Sequence, residues 1–167
     1  MANYDAFAEF RMDGHNVIVT GGAQNIGAGI AKALSGAGAK VMIADLNGEM
    51  AASTAAEIAS ITGNECHGMA CDVTDKSAID AVVAKTVEVF GGISTLVNNV
   101  GWGGRQDDPA SIPDEEFVAS YKLNTISAYR MSMACLPNLE KSANPSITNS
   151  GSFSSAVPAY DILPYAT

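Results

Sequence analysis

"TGGAQNIGAG", residues 20–29, follows the short β-branched run "NVIVT" at 16–20 and leads at once into a helical pattern. A turn this tight between a strand and a helix gathers backbone N–H groups and the positive end of the helix dipole at one point, an arrangement that suits a pyrophosphate. Glycine is needed where a side chain would block that approach, so Gly21, Gly22, Gly27 and Gly29 carry the reading. The same letters fit a glycine-rich turn that merely permits close packing. The flanking sequence decides between the two.

Downstream, further strand-length runs occur at 39–45 ("AKVMIAD"), 65–72 ("ECHGMACD"), 93–99 ("ISTLVNN") and 145–150 ("PSITNS"). Between them, helical spacing covers 26–37, 48–61, 75–90 and 114–136. Alternating strand and helix predicts an α/β fold: a Rossmann-type, doubly wound parallel sheet, helices on both faces, strand order 3-2-1-4-5. Gly36 and Gly38, then Gly63, then Gly91 and Gly92 are expected to end the first three helices with left-handed positions, while Asp75 and Asp114 suit helix starts.

With 167 residues, 47% hydrophobic and 16% charged, the chain is read as a single dinucleotide-binding domain with a real core. Its formal charge of −9 argues against nucleic acid and against anionic lipid as partners, because both are themselves negative. The first residues mix Asp5, Glu9 and Arg11 among apolar ones, unlike a signal peptide, and no run approaches the ~18 apolar residues of a membrane span. A cytoplasmic protein without a membrane partner is the expectation. Cys66, Cys71 and Cys135 read as buried thiols, the first two on opposite faces, and His15 and His67 lack partners at ligand spacing, so no metal is expected.

Asp45 closes the second strand, 24 positions after Gly21 (45 − 21), near the ~20-residue offset at which an acidic residue reaches the adenosine ribose of a bound dinucleotide. No Lys or Arg lies between Thr20 and Ala31, and Leu46 follows Asp45, so nothing there would neutralise a 2′-phosphate. NAD rather than NADP is the predicted cofactor. The alternative is that Asp45 caps a turn with Asn47 and Gly48.

These residues together resemble the short-chain dehydrogenase/reductase family from about Asp13 onward, with a weak likeness to bacterial 7α-hydroxysteroid dehydrogenases in the stretch from Asn98 to Asn124, continuing through "NLEK" at 138–141. The family's Thr-Gly-x3-Gly-x-Gly turn is matched by Thr20, Gly21, Gln24, Ile26 and Gly27, with Asn25 in place of the middle glycine. Asn is the residue that best tolerates a left-handed backbone after glycine, so the turn is expected to survive. Asp72 and Val73 in "CDVTD" look like the family's acidic-apolar pair beside the adenine, and "NNVG", ending in Asn99, Val100 and Gly101, looks like its strand-end motif.

The resemblance further implies catalytic roles for Asn124, Ser152 and Tyr165. Ser152 and Tyr165 stand 13 positions apart (165 − 152), the family spacing, whereas 13 positions before Tyr160 stands Ile147. In hydride transfer between nicotinamide and an alcohol or ketone, Tyr165 would be the acid/base, Ser152 would hold the oxygen, and Asn124 would kink its helix and hold a relay water. Trp102 would stand at the substrate mouth beside Gly103 and Gly104, against a small-molecule secondary alcohol or ketone of cyclic or steroid-like shape; the alternative is that Trp102 serves packing. The family's Tyr is followed four positions later by a Lys that favours the phenolate, which here would be position 169, so the sequence is expected to be the N-terminal portion of a longer, homo-oligomeric dehydrogenase, a dimer or tetramer. The 167 residues alone are then expected to be inactive, since strands that would cover the sheet edge are missing. The rival expectation is a module without chemistry that uses helix 114–136 as an interface.

Overall fold

The computed structural model of the chain describes residues 7–104, 108–157 and 162–166; Asp5 and Tyr160, both weighed above, lie outside them. Five parallel strands form one sheet in the order 3-2-1-4-5. They are β1 (Asn16–Thr20), β2 (Lys40–Asp45), β3 (Cys66–Ala70), β4 (Thr95–Asn98) and β5 (Ser146–Asn149). The connecting helices are α1 (Asn25–Gly36), α2 (Gly48–Thr62), α3 (Lys76–Phe90), α4 (Asp114–Tyr121) and α5 (Ser127–Leu139), with a short α6 (Leu163–Ala166) near the end.

Strand periodicity divides the core into two layers. Ile18, Met42, Ala44 and Leu96 face one way and pack with Ile79, Val82 and Phe90 of α3 and Met131, Cys135 and Leu139 of α5. Val17, Val19, Val41, Ile43 and Val97 face the other way, against Ala31 of α1 and Ala51, Ala55 and Ile58 of α2. The registers Ile18↔Met42 and Ile18↔Leu96 keep like faces together. Cys66 and Cys71 pack in opposite layers, although Cys66 is only half-buried. The close seating of α2 on β3 depends on glycine: a Cβ at Gly68 would come within 2.1 Å of the Ala51 backbone.

Helix ends follow local chemistry with two departures from expectation. Gly63 and Gly91 take left-handed positions at the ends of α2 and α3, and the Asp75 carboxylate caps α3 by accepting from Ser77 N–H at 2.9 Å. Gly36, however, is the last residue inside α1; the cap is Ala37 in right-handed geometry, and only Gly38 has φ +112°. Asp114 opens α4 without capping it, because Pro113 stands at the cap position. The long helix expected at 114–136 is three pieces: α4, a π-helical turn at Lys122–Ile126, and α5, which runs on through Pro137 to Leu139. β5 is exposed along its length, with Ile147 at 40% of its full accessibility.

Candidate functional site

At the carboxyl ends of β1, β2 and β4 lies a cleft of about 380 Å³. This is where an open α/β sheet reverses its strand order and leaves a crevice. Of the thirteen residues expected to hold a cofactor, twelve line it: Gly21, Gln24, Asn25, Ile26, Gly27, Asp45, Leu46, Asp72, Val73, Asn99, Val100 and Gly101.

Thr20 is the exception. Its side chain is 1% exposed, and its hydroxyl donates to Val97 O at 3.3 Å while accepting from Asn99 N–H at 3.0 Å. It therefore ties β1 to β4 underneath the cleft. Asn99 completes this tie, its Nδ2 reaching Thr20 O at 3.3 Å and Gly21 O at 3.2 Å, while its Oδ1 accepts from Ser150 Oγ at 3.3 Å. Gly27 sits against the same junction: a Cβ there would lie 2.0 Å from Gly21 O and 2.7 Å from Asn99 Nδ2. Gly21 itself has φ +63°. These contacts press the turn against the strand ends and aim the first turn of α1 into the cleft. No side chain caps that helix start, and no acidic residue occupies its first turn. An elongated ligand with an anionic centre suits this end.

At the other end, Asp45 closes β2. Its Oδ2 accepts from Ala23 N–H and its Oδ1 from Asn47 N–H, both at 3.1 Å, so the carboxylate lines the cleft and also braces the turn into α2. The ligand reading and the turn reading of Asp45 thus describe one carboxylate with spare lone pairs. Asp72 accepts from the backbone and hydroxyl of Thr74 at 2.8 and 2.7 Å. Ile26 and Leu46 are large apolar side chains left about three-quarters exposed, 74% and 76%, on the cleft wall. The lining contains two carboxylates and no Lys or Arg among the described residues.

Two lining residues, Cys71 and Leu123, escape sequence reading. Cys71 stands just past the end of β3, where core packing and cleft lining meet; burial first, then the Asp72 and Asp75 carboxylates, push its thiol up to about 11, so it stays protonated. Leu123 arrives from the π-helical turn, whose register no periodicity announces.

Asn124 lies in that same turn and holds the backbone of Trp102. Its Oδ1 accepts from Trp102 N–H at 2.9 Å, and its Nδ2 donates to Trp102 O at 3.1 Å and to Ser120 Oγ at 2.9 Å. Trp102 stands 44% exposed next to the cleft-lining Gly101. Ser152 precedes a 3-10 turn, Phe153–Ser155, and its Oγ accepts from Ser154 N–H at 3.2 Å. Tyr165 is half-buried on α6, which packs against α4 and against the turn that follows Ser152. Their elements are neighbours, yet no hydrogen bond joins Ser152, Tyr165 and Asn124 to one another among the described residues. No three of His, Cys, Asp or Glu gather at metal-binding distance, and no helix is long and apolar enough to cross a membrane, again among the described residues.

Comparison with known proteins places this geometry. The chain is 36% identical over 149 residues to a 4-formylbenzenesulfonate dehydrogenase of Comamonas testosteroni, covering 89% of this chain and 59% of that protein. It is 33% identical over 131 residues to the 7alpha-hydroxysteroid dehydrogenase of Escherichia coli strain K12, covering 78% of this chain and 50% of the relative. A solved 7 alpha-hydroxysteroid dehydrogenase complexed with NADH and 7-oxo glycochenodeoxycholic acid superposes with a TM-score of 0.86 at 30% identity, over 93% of this chain and 60% of that one. The chain thus spans half to three-fifths of the length of the relatives it matches. A sequence model described as short chain dehydrogenase matches residues 15–167, nearly the whole of the chain, and the chain belongs to that family.

Proposed function

We propose that this chain is the dinucleotide-binding unit of an NAD(H)-dependent oxidoreductase acting on a secondary alcohol or ketone. The observation that carries the reading is the cleft itself: a glycine turn and an uncapped helix start at one end, and at the other a carboxylate with no neighbouring cation among the described residues. The residues fit the group. The N–H groups at the start of α1 would face the pyrophosphate, Ile26, Val73 and Leu46 would cover apolar ring faces, and Asp45 would accept from the ribose hydroxyls. A 2′-phosphate would meet the charges of Asp45 and Asp72 with no basic side chain on the wall among the described residues to offset them, which favours NAD over NADP.

When bound, the nicotinamide would accept or donate the hydride; the protein's part is to hold the substrate oxygen and move its proton. Tyr165 would move that proton and Ser152 would hold the oxygen. Asn124, by fixing the Trp102 backbone, would hold one wall of the substrate mouth, on which a cyclic or steroid-like alcohol would rest. The relatives named for ring-bearing substrates support that class. We propose further that the working protein is a cytoplasmic homo-oligomer, a dimer or tetramer.

The test is NADH formation with a panel of cyclic and acyclic secondary alcohols by the complete dehydrogenase of which these residues are the proposed part, comparing the unaltered protein with Tyr165→Phe and Ser152→Ala. Tyr165→Phe should cost about 10²–10⁴-fold in turnover with NAD binding nearly intact. Near-normal turnover in that variant would remove Tyr165 from the mechanism. Saturable NADH binding without turnover on any alcohol would favour the second reading, a binding or assembly module, for which the exposed Val118, Tyr121, Tyr129 and Met133 on α4 and α5 speak.

A further inference from the structure

Thr54 lies half-buried inside α2. Thr62, Thr86 and Ser132 each donate back to the carbonyl four residues earlier in their own helix, a habit of hydroxyl side chains inside helices. Thr54 donates instead to Ala23 O, 31 positions away, at 2.7 Å. Ala23 is 4% exposed and belongs to the glycine turn, and its own N–H donates to Asp45 Oδ2 at 3.1 Å. The two peptide units flanking the Ala23 Cα are therefore each held by a side chain from outside the turn, Asp45 at the end of β2 and Thr54 on α2. The other carboxylate oxygen, Oδ1, accepts from Asn47 N–H at 3.1 Å, and Asn47 Oδ1 caps α2 by accepting from Met50 N–H at 3.0 Å. Met50 and Thr54 stand one helical turn apart, so these bonds form a closed circuit that begins and ends on the Asp45 carboxylate.

Resting on the dinucleotide reading above, we infer that Thr54 is a positioning residue for cofactor choice. It does not line the cleft; by fixing Ala23 it fixes the plane in which Asp45 presents its remaining lone pairs there. A carboxylate held on one oxygen can swing about that bond, whereas one held on both oxygens by anchored partners keeps a single orientation. Released from that orientation, Asp45 would accept poorly from ribose hydroxyls and would repel a 2′-phosphate less, since charge repulsion falls with distance. The Thr54 hydroxyl, and not its methyl group, supplies this control.

The test measures dissociation constants for NADH and NADPH in the complete dehydrogenase of which these residues are the proposed part, with Thr54→Val and Thr54→Ser, each alone and beside Asp45→Ala. Thr54→Val keeps the shape and removes the donor, and it should reduce the preference for NADH over NADPH about fivefold, the size of one lost hydrogen bond. Should that variant fail to fold, Thr54→Ala, which also lacks the donor, takes its place with the same expected shift. Thr54→Ser keeps the donor and should hold the preference within about twofold of the unaltered protein. Beside Asp45→Ala, Thr54→Val should move the preference by less than about twofold, because its effect passes through that carboxylate. A purely structural Thr54 would instead weaken both nucleotides alike. Equal loss for the two nucleotides in Thr54→Val, a shift in Thr54→Ser as large as in Thr54→Val, or an undiminished effect beside Asp45→Ala would each overturn the inference while leaving the dinucleotide reading in place. Failure of the unaltered protein to bind NADH saturably, or its preference for NADPH, would overturn both.

Discussion

Asp45 lines the cleft and also braces the turn into α2, and this sharpens the effect of changing it. On the proposed dinucleotide reading, replacing it with Ala and Leu46 with Arg would remove the acceptor for a ribose and supply a cation for a 2′-phosphate. The preference should move toward NADP by about 1–3 kcal/mol, roughly 5- to 150-fold in the ratio of dissociation constants. Because the carboxylate also accepts from Ala23 and Asn47 N–H, much of the change should appear as lost NAD affinity rather than gained NADP affinity. Titrating both variant and parent with NADH and NADPH separates the two contributions; an unchanged ratio would strip Asp45 of its role in selection. Residues of this kind were legible in the sequence because each answers to local chemistry. Asn25 answers to the backbone angle of its turn, Gly27 to a 2.0 Å approach, and Asp45 to the end of a strand. Cys71 and Leu123 were not legible, since what makes them cleft walls is the meeting of β3 and the π-helical turn, distant in the chain. Thr20 lies at the right place in its motif, but its hydroxyl is occupied beneath the floor by Val97 and Asn99.

The sheet order and the first three helices followed from alternation and capping, with strand ends displaced by at most two residues, whereas the break in the long helix did not show. The reason lies at Lys122–Ile126: a π-helical turn inserts residues without changing composition, so the apolar spacing on both sides reads as one helix. The turn is what lets Asn124 turn its amide toward Trp102. Substituting Asn124 with Ala would remove both bonds to Trp102 and leave Ser120 Oγ, in a residue 1% exposed, without its Asn124 donor. A loss of about 1–3 kcal/mol in stability should follow, since each bond is worth roughly 0.5–1.5 kcal/mol net. Denaturant unfolding measures that loss. Acrylamide quenching of Trp102, the chain's one tryptophan, should rise in parallel as the loop loosens. Quenching equal to that of the parent would show that the loop is held by something else.

Across the whole molecule, one face of the sheet buries two thiols, Cys71 and Cys135, and this gives the stability curve an alkaline limb. Burial pushes Cys135 up to about 12 and, with nearby carboxylates, Cys71 up to about 11, from an ordinary value of 9.0. A group whose folded value is raised contributes its stability in full below the unfolded value and loses it as the pH climbs toward the folded one. Melting temperature should therefore decline between about pH 9 and pH 11–12, and Cys135→Ala should flatten that limb while lowering stability at pH 7 by the cost of a small cavity. An unaltered alkaline slope in the variant would assign it to other groups. The proposed dinucleotide site is the cleft at the ends of β1, β2 and β4. Its most direct test is an NADH titration followed by energy transfer from Trp102, run beside Gly27→Ala, whose added methyl must push against Gly21 O and Asn99 Nδ2. The prediction is saturable binding, displaced by ADP-ribose, at least about tenfold tighter for NADH than for NADPH, and lost in Gly27→Ala. Absence of saturable binding, a preference for NADPH, or undiminished affinity in Gly27→Ala would contradict it.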